Sequence, residues 1–145
     1  MKNILITGGC GFIASNFINY ILDKYPNFNI VNLDALYYCS DINNITIENQ
    51  IKKNYKFIKG QIQNKDLVEL ILNFYEIDTI IHFAAQSHVD NSFSNPIQYT
   101  KDNILGTHIL LECVREYNKI EKFIHVSTDE VYGESVSKET DIKNE

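Results

Sequence analysis

The chain lacks any apolar run close to the ~20 residues that a membrane-crossing helix needs. It also lacks a basic stripe: the formal net charge is −6 over 145 residues. The first absence argues against a membrane span. The second argues against non-specific attraction to nucleic acid or to an anionic membrane surface. The residues "NKIEK" (118–122) read as a turn between elements. Cysteine is scarce and odd in number, at Cys10, Cys39 and Cys113, with no C-x-x-C spacing. Reduced thiols in a cytoplasmic compartment are expected. The four histidines are scattered without zinc-site spacing, so no metal is expected. Lys2 and "ILI", followed at once by glycines, make too short an apolar stretch for a signal peptide. Repeats, low-complexity tracts and interdomain linkers are missing too, and only "SVSKETDIKNE" (135–145) reads as a solvated, disordered tail.

What remains has 44% apolar and 22% charged residues, the balance of one domain with a real core. Strand-like and helix-like segments alternate. "NILIT" (3–7) is a short, nearly continuous apolar run ending at glycines, which suits a strand buried on both faces. Residues 11–25 carry Phe12, Ile13, Phe17, Ile18, Ile21 and Leu22 at helical spacing, with Pro26 just past the end. Strands follow at "NIVNLD" (29–34) and "YKFIKG" (55–60), separated by a polar stretch with room for a short helix. Residues 64–75 predict a helix capped by Asn64. "DTIIHFAA" (78–85) is a fourth strand, helical spacing returns over 96–117, and "KFIHVST" (122–128) is a fifth strand. The alternation predicts an α/β fold: a doubly wound parallel sheet of the Rossmann type, with five or more strands and helices on both faces.

"ITGGCGFIAS" (6–15) links the first strand to the first helix and holds two overlapping glycine frames, Gly9-Gly11-Ala14 and Gly8-Gly11-Ala14. Both have one physical meaning. Glycine reaches the positive φ of a tight turn cheaply. Gly11 lets the backbone approach a pyrophosphate, and Ala14 lets the helix pack close. The helix N-terminus then offers free N–H groups and partial positive charge to phosphates. Glycines also serve plain strand-to-helix turns, but Asp34 ends the second strand twenty residues after Ala14. A carboxylate there accepts from both ribose hydroxyls of an adenosine and repels a 2′-phosphate. NAD is therefore the expected cofactor.

"HFAAQSHVDNS" (82–92) gives a second small-residue crossing, where Ala84 and Ala85 let a cofactor lie against the strand. Ser87 and His88 follow in the loop facing the crevice. His88 reads either as a catalytic group or, preferred here, as a loop residue that orients backbone. Asn103 sends its amide to the crevice or is a plain polar helix residue. His82, His108 and His125 lie within elements and read as structural. Ser127, Thr128, Asp129 and Glu130 leave the fifth strand at the same sheet edge. Two carboxylates in a partly dry crevice split their pKa values, so one can remove a proton while the other donates one. Alternatively, they cap a turn.

"TGGCGFIASN", "NLDALYYCS", "HFAAQSHVDNSFSNP", "NILGTHILLE" and "FIHVSTDEVYGE" resemble, in order and over nearly the whole chain, the nucleotide-sugar 4,6-dehydratases of the extended short-chain dehydrogenase/reductase superfamily. "YYCS", "AAQSHVDNSF" and "GTHILLE" are more similar to the UDP-glucose branch of plant rhamnose synthesis than to the bacterial dTDP-glucose enzymes. The resemblance implies that Gly8, Gly11, Phe12 and Ile13 hold the NAD pyrophosphate. It implies that Asp34, Leu36 and Tyr37 bind the adenosine ribose, that Gln61 and Ile62 flank the adenine, and that Ala84, Ala85, Ser87 and Asn103 line the cofactor. Ser87 and Thr128 would touch the sugar. Asp129 would assist loss of the C6 hydroxyl, and Glu130 would take the C5 proton. The implied product is a nucleotide-4-keto-6-deoxyhexose for deoxysugar synthesis, the implied partner a nucleotide-sugar, and the implied assembly a homodimer.

The chain departs from that pattern in three places. Gln61 stands where the family usually has Asp, and can still accept through its amide oxygen. Asp102 stands where the family has Asn or Thr, which puts an extra charge near the crevice unless it turns outward. The superfamily's Tyr-x-x-x-Lys pair, where the lysine favours the phenolate, has no counterpart in place. Tyr20/Lys24 falls on the first helix. Tyr55/Lys59 falls on a strand, where residues four apart lie roughly 13 Å from each other. The 145 residues are thus expected to be the N-terminal, NAD-binding part of a longer enzyme, without the C-terminal nucleotide-sugar domain. The fifth strand would then be an open edge. A nucleotide-sugar epimerase or decarboxylase, or a non-catalytic dinucleotide-binding module, is the alternative. Epimerases need no paired acids.

Overall fold

Apolar side chains alternate between two sides along the first strand, and both sides are buried. In the computed structural model, which describes residues 2–133, β1 (Lys2–Thr7) lies at the centre of a five-stranded parallel sheet. The other strands are β2 (Phe28–Asp34), β3 (Tyr55–Lys59), β4 (Thr79–His82) and β5 (Lys122–His125), in the order β3-β2-β1-β4-β5. Ile4, Ile6, Ile30 and Ile81 face α1 (Phe12–Lys24), burying Ala14, Ile18, Ile21 and Leu22. Leu5, Val31, Leu33 and Ile80 face the other way, onto Val68, Ile71 and Leu72 of α3 (Lys65–Phe74) and Leu110 and Cys113 of α6 (Gly106–Tyr117). Two cores on opposite faces of one parallel sheet make the doubly wound architecture.

The expected elements are all present, with differences at their ends. Asn64 caps α3 as predicted, its side chain accepting from the Leu67 N–H. An Asn64→Ala variant is expected to lose about 1 kcal/mol, read as a lowered urea midpoint. The polar stretch after β2 contains a 3₁₀ turn (Ile42–Asn44) and a single helical turn, α2 (Ile47–Gln50). β4 stops at His82, short of the expected residue 85, because its partner β1 runs out at Thr7. The last rung is Phe83 N–H to the Thr7 carbonyl. β5 stops at His125, short of residue 128, for the same reason: Val126 makes the final bond, to the His82 carbonyl. α4 (Val89–Ser94) was not anticipated. The helix over 96–117 is present, but in three pieces: α5 (Pro96–Tyr99), a π-helical segment (Thr100–Leu105) and α6. The tail predicted at 135–145 lies outside the described residues.

Candidate functional site

The strand order reverses between β1 and β4, the two strands that carry the glycine loop and the Ala84-Ala85 crossing. In open parallel sheets, ligands bind beyond the strand ends at such a switch point. Gly8 has φ +71°, and a Cβ there would lie 2.7 Å from the backbone N and Cα of Ala84. The loop thus presses against β4's continuation with no room for a side chain. A Cβ on Gly9 would strike the Asn32 amide. Gly11 caps α1 in extended conformation without a side-chain bond, and the first helical bond runs from the Ser15 N–H to the Gly11 carbonyl. The N–H groups of Phe12, Ile13 and Ala14 are left for an anion. Phe12 and Ile13 are exposed there.

Asp34 is buried at the end of β2 and ties two loops together. One carboxylate oxygen accepts from the Cys10 N–H at 2.9 Å. The other accepts from the Leu36 N–H at 2.7 Å and the Ser40 hydroxyl at 3.1 Å. A carboxylate has about four lone-pair sites, so the first oxygen keeps capacity for a ribose hydroxyl. Leu36, the next candidate, sits at φ 55°, a strained conformation for a leucine. Burial, and then the Asp34 charge, push the Cys10 thiol up to about 12, so this buried cysteine stays inert.

Across the switch point, buried Thr7 and His82 and half-buried Thr107 form a relay. The Thr107 hydroxyl donates to the Asn103 carbonyl at 2.8 Å, so it accepts from His82 Nε2 at 3.0 Å. His82 Nδ1 then accepts from the Thr7 hydroxyl at 2.6 Å. Burial, aided by neighbouring His125, lowers His82 to about 4 and keeps the ring neutral. The structural reading of His82 holds. Asn103 reaches the Ala84-Ser87 loop, but its amide clamps the Gln86 backbone, accepting from its N–H at 2.7 Å and donating to its carbonyl at 2.9 Å. Ala84 is half-buried; Ala85, Ser87 and His88 are exposed. His88 caps α4 without a side-chain bond, its ring edge-on to Tyr38 and its carbonyl accepting from the Tyr99 hydroxyl.

On the β3 side, Gln61 faces solvent, whereas Ile62 is buried, its side chain set against Gly106. Asp102 neither points into the crevice nor turns outward. It is 6% exposed and takes the amides of Gln63, Gln86 and Gln98. Residue-by-residue reading of the sequence did not find this cluster, because its glutamines come from two separate loops and α5 and leave no pattern in any one stretch.

Thr128, Asp129 and Glu130 leave the sheet at its C-terminal edge, beyond β5, and form the start of a 3₁₀ turn (Asp129–Tyr132). Thr128 caps it, accepting from the Glu130 N–H at 3.3 Å and donating to the Asp129 carboxylate at 3.1 Å. All three residues are exposed, so the partly dry crevice expected around the acids does not enclose them among the described residues. The two Tyr/Lys pairs lie elsewhere. Tyr20 and Lys24 bond each other on the exposed side of α1. Tyr55 is buried, accepting from the Asn32 amide at 2.9 Å, and burial raises its hydroxyl to about 12.

A doubly wound sheet with a glycine loop, an acid at the end of β2 and a small-residue crossing at the switch point defines a Rossmann-type α/β protein. The GDP-mannose 4,6 dehydratase family matches residues 5–145, and the chain belongs to that family. It is 55% identical over 134 residues to a trifunctional UDP-glucose 4,6-dehydratase/UDP-4-keto-6-deoxy-D-glucose 3,5-epimerase/UDP-4-keto-L-rhamnose-reductase of Arabidopsis thaliana, covering 92% of this chain and 20% of that protein. It is 50% identical over 141 residues to the human dTDP-D-glucose 4,6-dehydratase, covering 97% of this chain and 39% of that protein. Among solved structures, the dTDP-glucose 4,6-dehydratase of Bacillus anthracis, in complex with NAD, superposes with a TM-score of 0.83 at 42% identity, over 94% of this chain and 41% of that one. The chain thus spans well under half the length of each of these relatives. Among the described residues, no helix is long and apolar enough to cross a membrane.

Proposed function

We propose that this chain is the NAD-binding part of a nucleotide-sugar 4,6-dehydratase that converts UDP-glucose, or alternatively dTDP-glucose, to the nucleotide-4-keto-6-deoxyglucose in deoxysugar synthesis such as that of rhamnose. The observation that carries this reading is the Thr128-Asp129-Glu130 turn at the same sheet edge as the glycine loop. The family and the dehydratase relatives support it. The residues fit the dinucleotide. The Gly8 turn has no space for a Cβ, the α1 N-terminus has free N–H groups, and Asp34 keeps an acceptor. When bound, NAD supplies the hydride acceptor and donor. Thr128 holds the hexose near its C4 oxygen, Asp129 gives a proton to the departing C6 hydroxyl, and Glu130 removes the C5 proton. The paired acids favour dehydration over epimerisation.

The relatives' greater length supports assigning the nucleotide-sugar domain to further sequence of a longer protein. A homodimer and a cytoplasmic site of action, the latter supported by the free Cys10, Cys39 and Cys113, complete the reading. The acidic balance disfavours nucleic acid as a partner. Titration calorimetry on the 145-residue chain is expected to show NAD binding and weaker NADP binding. Chromatography of the same chain with NAD and UDP-glucose is expected to show no 4-keto product, because neither Tyr/Lys pair faces the switch point. Absence of heat at millimolar NAD would overturn the cofactor assignment.

A further inference from the structure

We propose that Asp102 is a positioning residue that locks the loops after β2, β3 and β4 into one rigid unit. Asp102 is 6% exposed, and its carboxylate has no cationic partner among the described residues. A charge so placed is tolerable only when donors surround it. Oδ1 accepts from Gln63 Nε2 at 2.5 Å and from Gln98 Nε2 at 2.9 Å. The Tyr37 hydroxyl stands 3.5 Å from the same oxygen, the weakest of the contacts. Oδ2 accepts from Gln86 Nε2 at 3.0 Å.

The origin of these donors gives the cluster its meaning. Tyr37 belongs to the loop after β2, Gln63 to the loop after β3 and Gln86 to the loop after β4; Gln98 lies one turn back on α5. Those loops carry Leu36, Gln61, Ala84, Ala85 and Ser87, the residues the resemblance places around the cofactor. Asn103, next in the chain, grips the Gln86 backbone from both sides. The π-helical segment Thr100–Leu105 thus sends two successive side chains to one loop. Burial and the Asp102 charge raise the Tyr37 hydroxyl, which keeps it a donor. The lock itself concerns only these loops; that they serve a dinucleotide rests on the function proposed above.

An Asp102→Ala variant removes every acceptor at once and strands three amides. Asp102→Asn keeps one acceptor oxygen for Gln63 and Gln98. Its new NH₂ meets Gln86 Oε1, which is buried and without a partner, once the Gln86 amide turns over. Hydrogen–deuterium exchange on the ligand-free chain is the test. In the alanine variant, peptides covering 35–41, 60–64 and 83–88 are expected to exchange at least tenfold faster together, with β1 and β2 unchanged. Asparagine should restore most of the protection. Leu22→Ala, buried on the opposite face at the far end of α1, should lower the melting temperature without this pattern. Faster exchange confined to the helix around residue 102, or an equal response in Leu22→Ala, overturns the proposal. In calorimetry, the alanine variant should lose at least tenfold in NAD affinity and the asparagine variant little. Failure of the native chain to bind NAD, with the exchange pattern present, would remove the dinucleotide and leave the lock.

Discussion

A Gly8→Ala variant is expected to melt roughly 10 °C lower than the native chain and to lose measurable NAD binding. Two effects add. At φ +71°, an L side chain costs about 1–2 kcal/mol. The new Cβ would also lie 2.7 Å from the N and Cα of Ala84, and backbone cannot swing aside as a flexible side chain can. The loop after β1 must therefore move away from the loop after β4, opening the switch point. Together the effects reach about 3 kcal/mol, and each kcal/mol moves the midpoint of a domain this size by ~2–4 °C. Gly133 provides the control, with φ +74° and, among the described residues, nothing within 4 Å of a built Cβ. At φ +74°, ψ −170°, Gly133→Ala should show the conformational cost alone, about 1–3 kcal/mol, and unchanged affinity. Native NAD affinity in Gly8→Ala would mean that the contact with Ala84 is immaterial to the cleft.

Acid should weaken the fold through His82. Its folded pKa, lowered to about 4 by burial and by His125, lies below the ordinary value of 6.5. Below 6.5 the unfolded chain takes up a proton that the folded chain refuses. Stability from this group is therefore fully present above pH 6.5 and is lost as pH falls toward 4. The window amounts to roughly 3 kcal/mol. Protonation at Nδ1 would also displace the Thr7 hydroxyl from the acceptor it uses at 2.6 Å. Denaturant midpoints measured from pH 7.5 to 4.5 should slope steeply for the native chain. His82→Gln keeps an acceptor and a donor but has no charge to gain, so it should start lower and stay flatter. A His82→Gln curve parallel to the native one would assign the acid sensitivity elsewhere.

The sequence carried the sheet well because burial on two faces writes itself into strands such as "NILIT" and because helix spacing is regular. Asn64 was readable as a cap since its chemistry is local. The glycine loop and Asp34 were readable because their spacing is set by the length of α1 and β2. Strand ends were misjudged at residues 85 and 128, where pairing stops because the neighbouring strand stops, a fact held in another part of the chain. The least legible feature was Asp102. From the sequence the carboxylate reads as near the crevice or turned outward, whereas its burial depends on Gln63 and Gln86, each supplied by a different loop. The π-helical segment that aims it there leaves no mark in the hydrophobic pattern.

Thr7 and His82 are 75 positions apart. Of the four strand pairings, β1 with β4 spans the longest stretch of chain. That pairing therefore carries the largest loop-closure cost of the four, a cost that grows only slowly with length. The cleft at the switch point does not exist until that pairing is made. A ligand held there recognises only chains that have completed it, and mass action then holds the pairing shut. Occupancy of the cleft and completion of folding are, for this chain, two readings of one equilibrium.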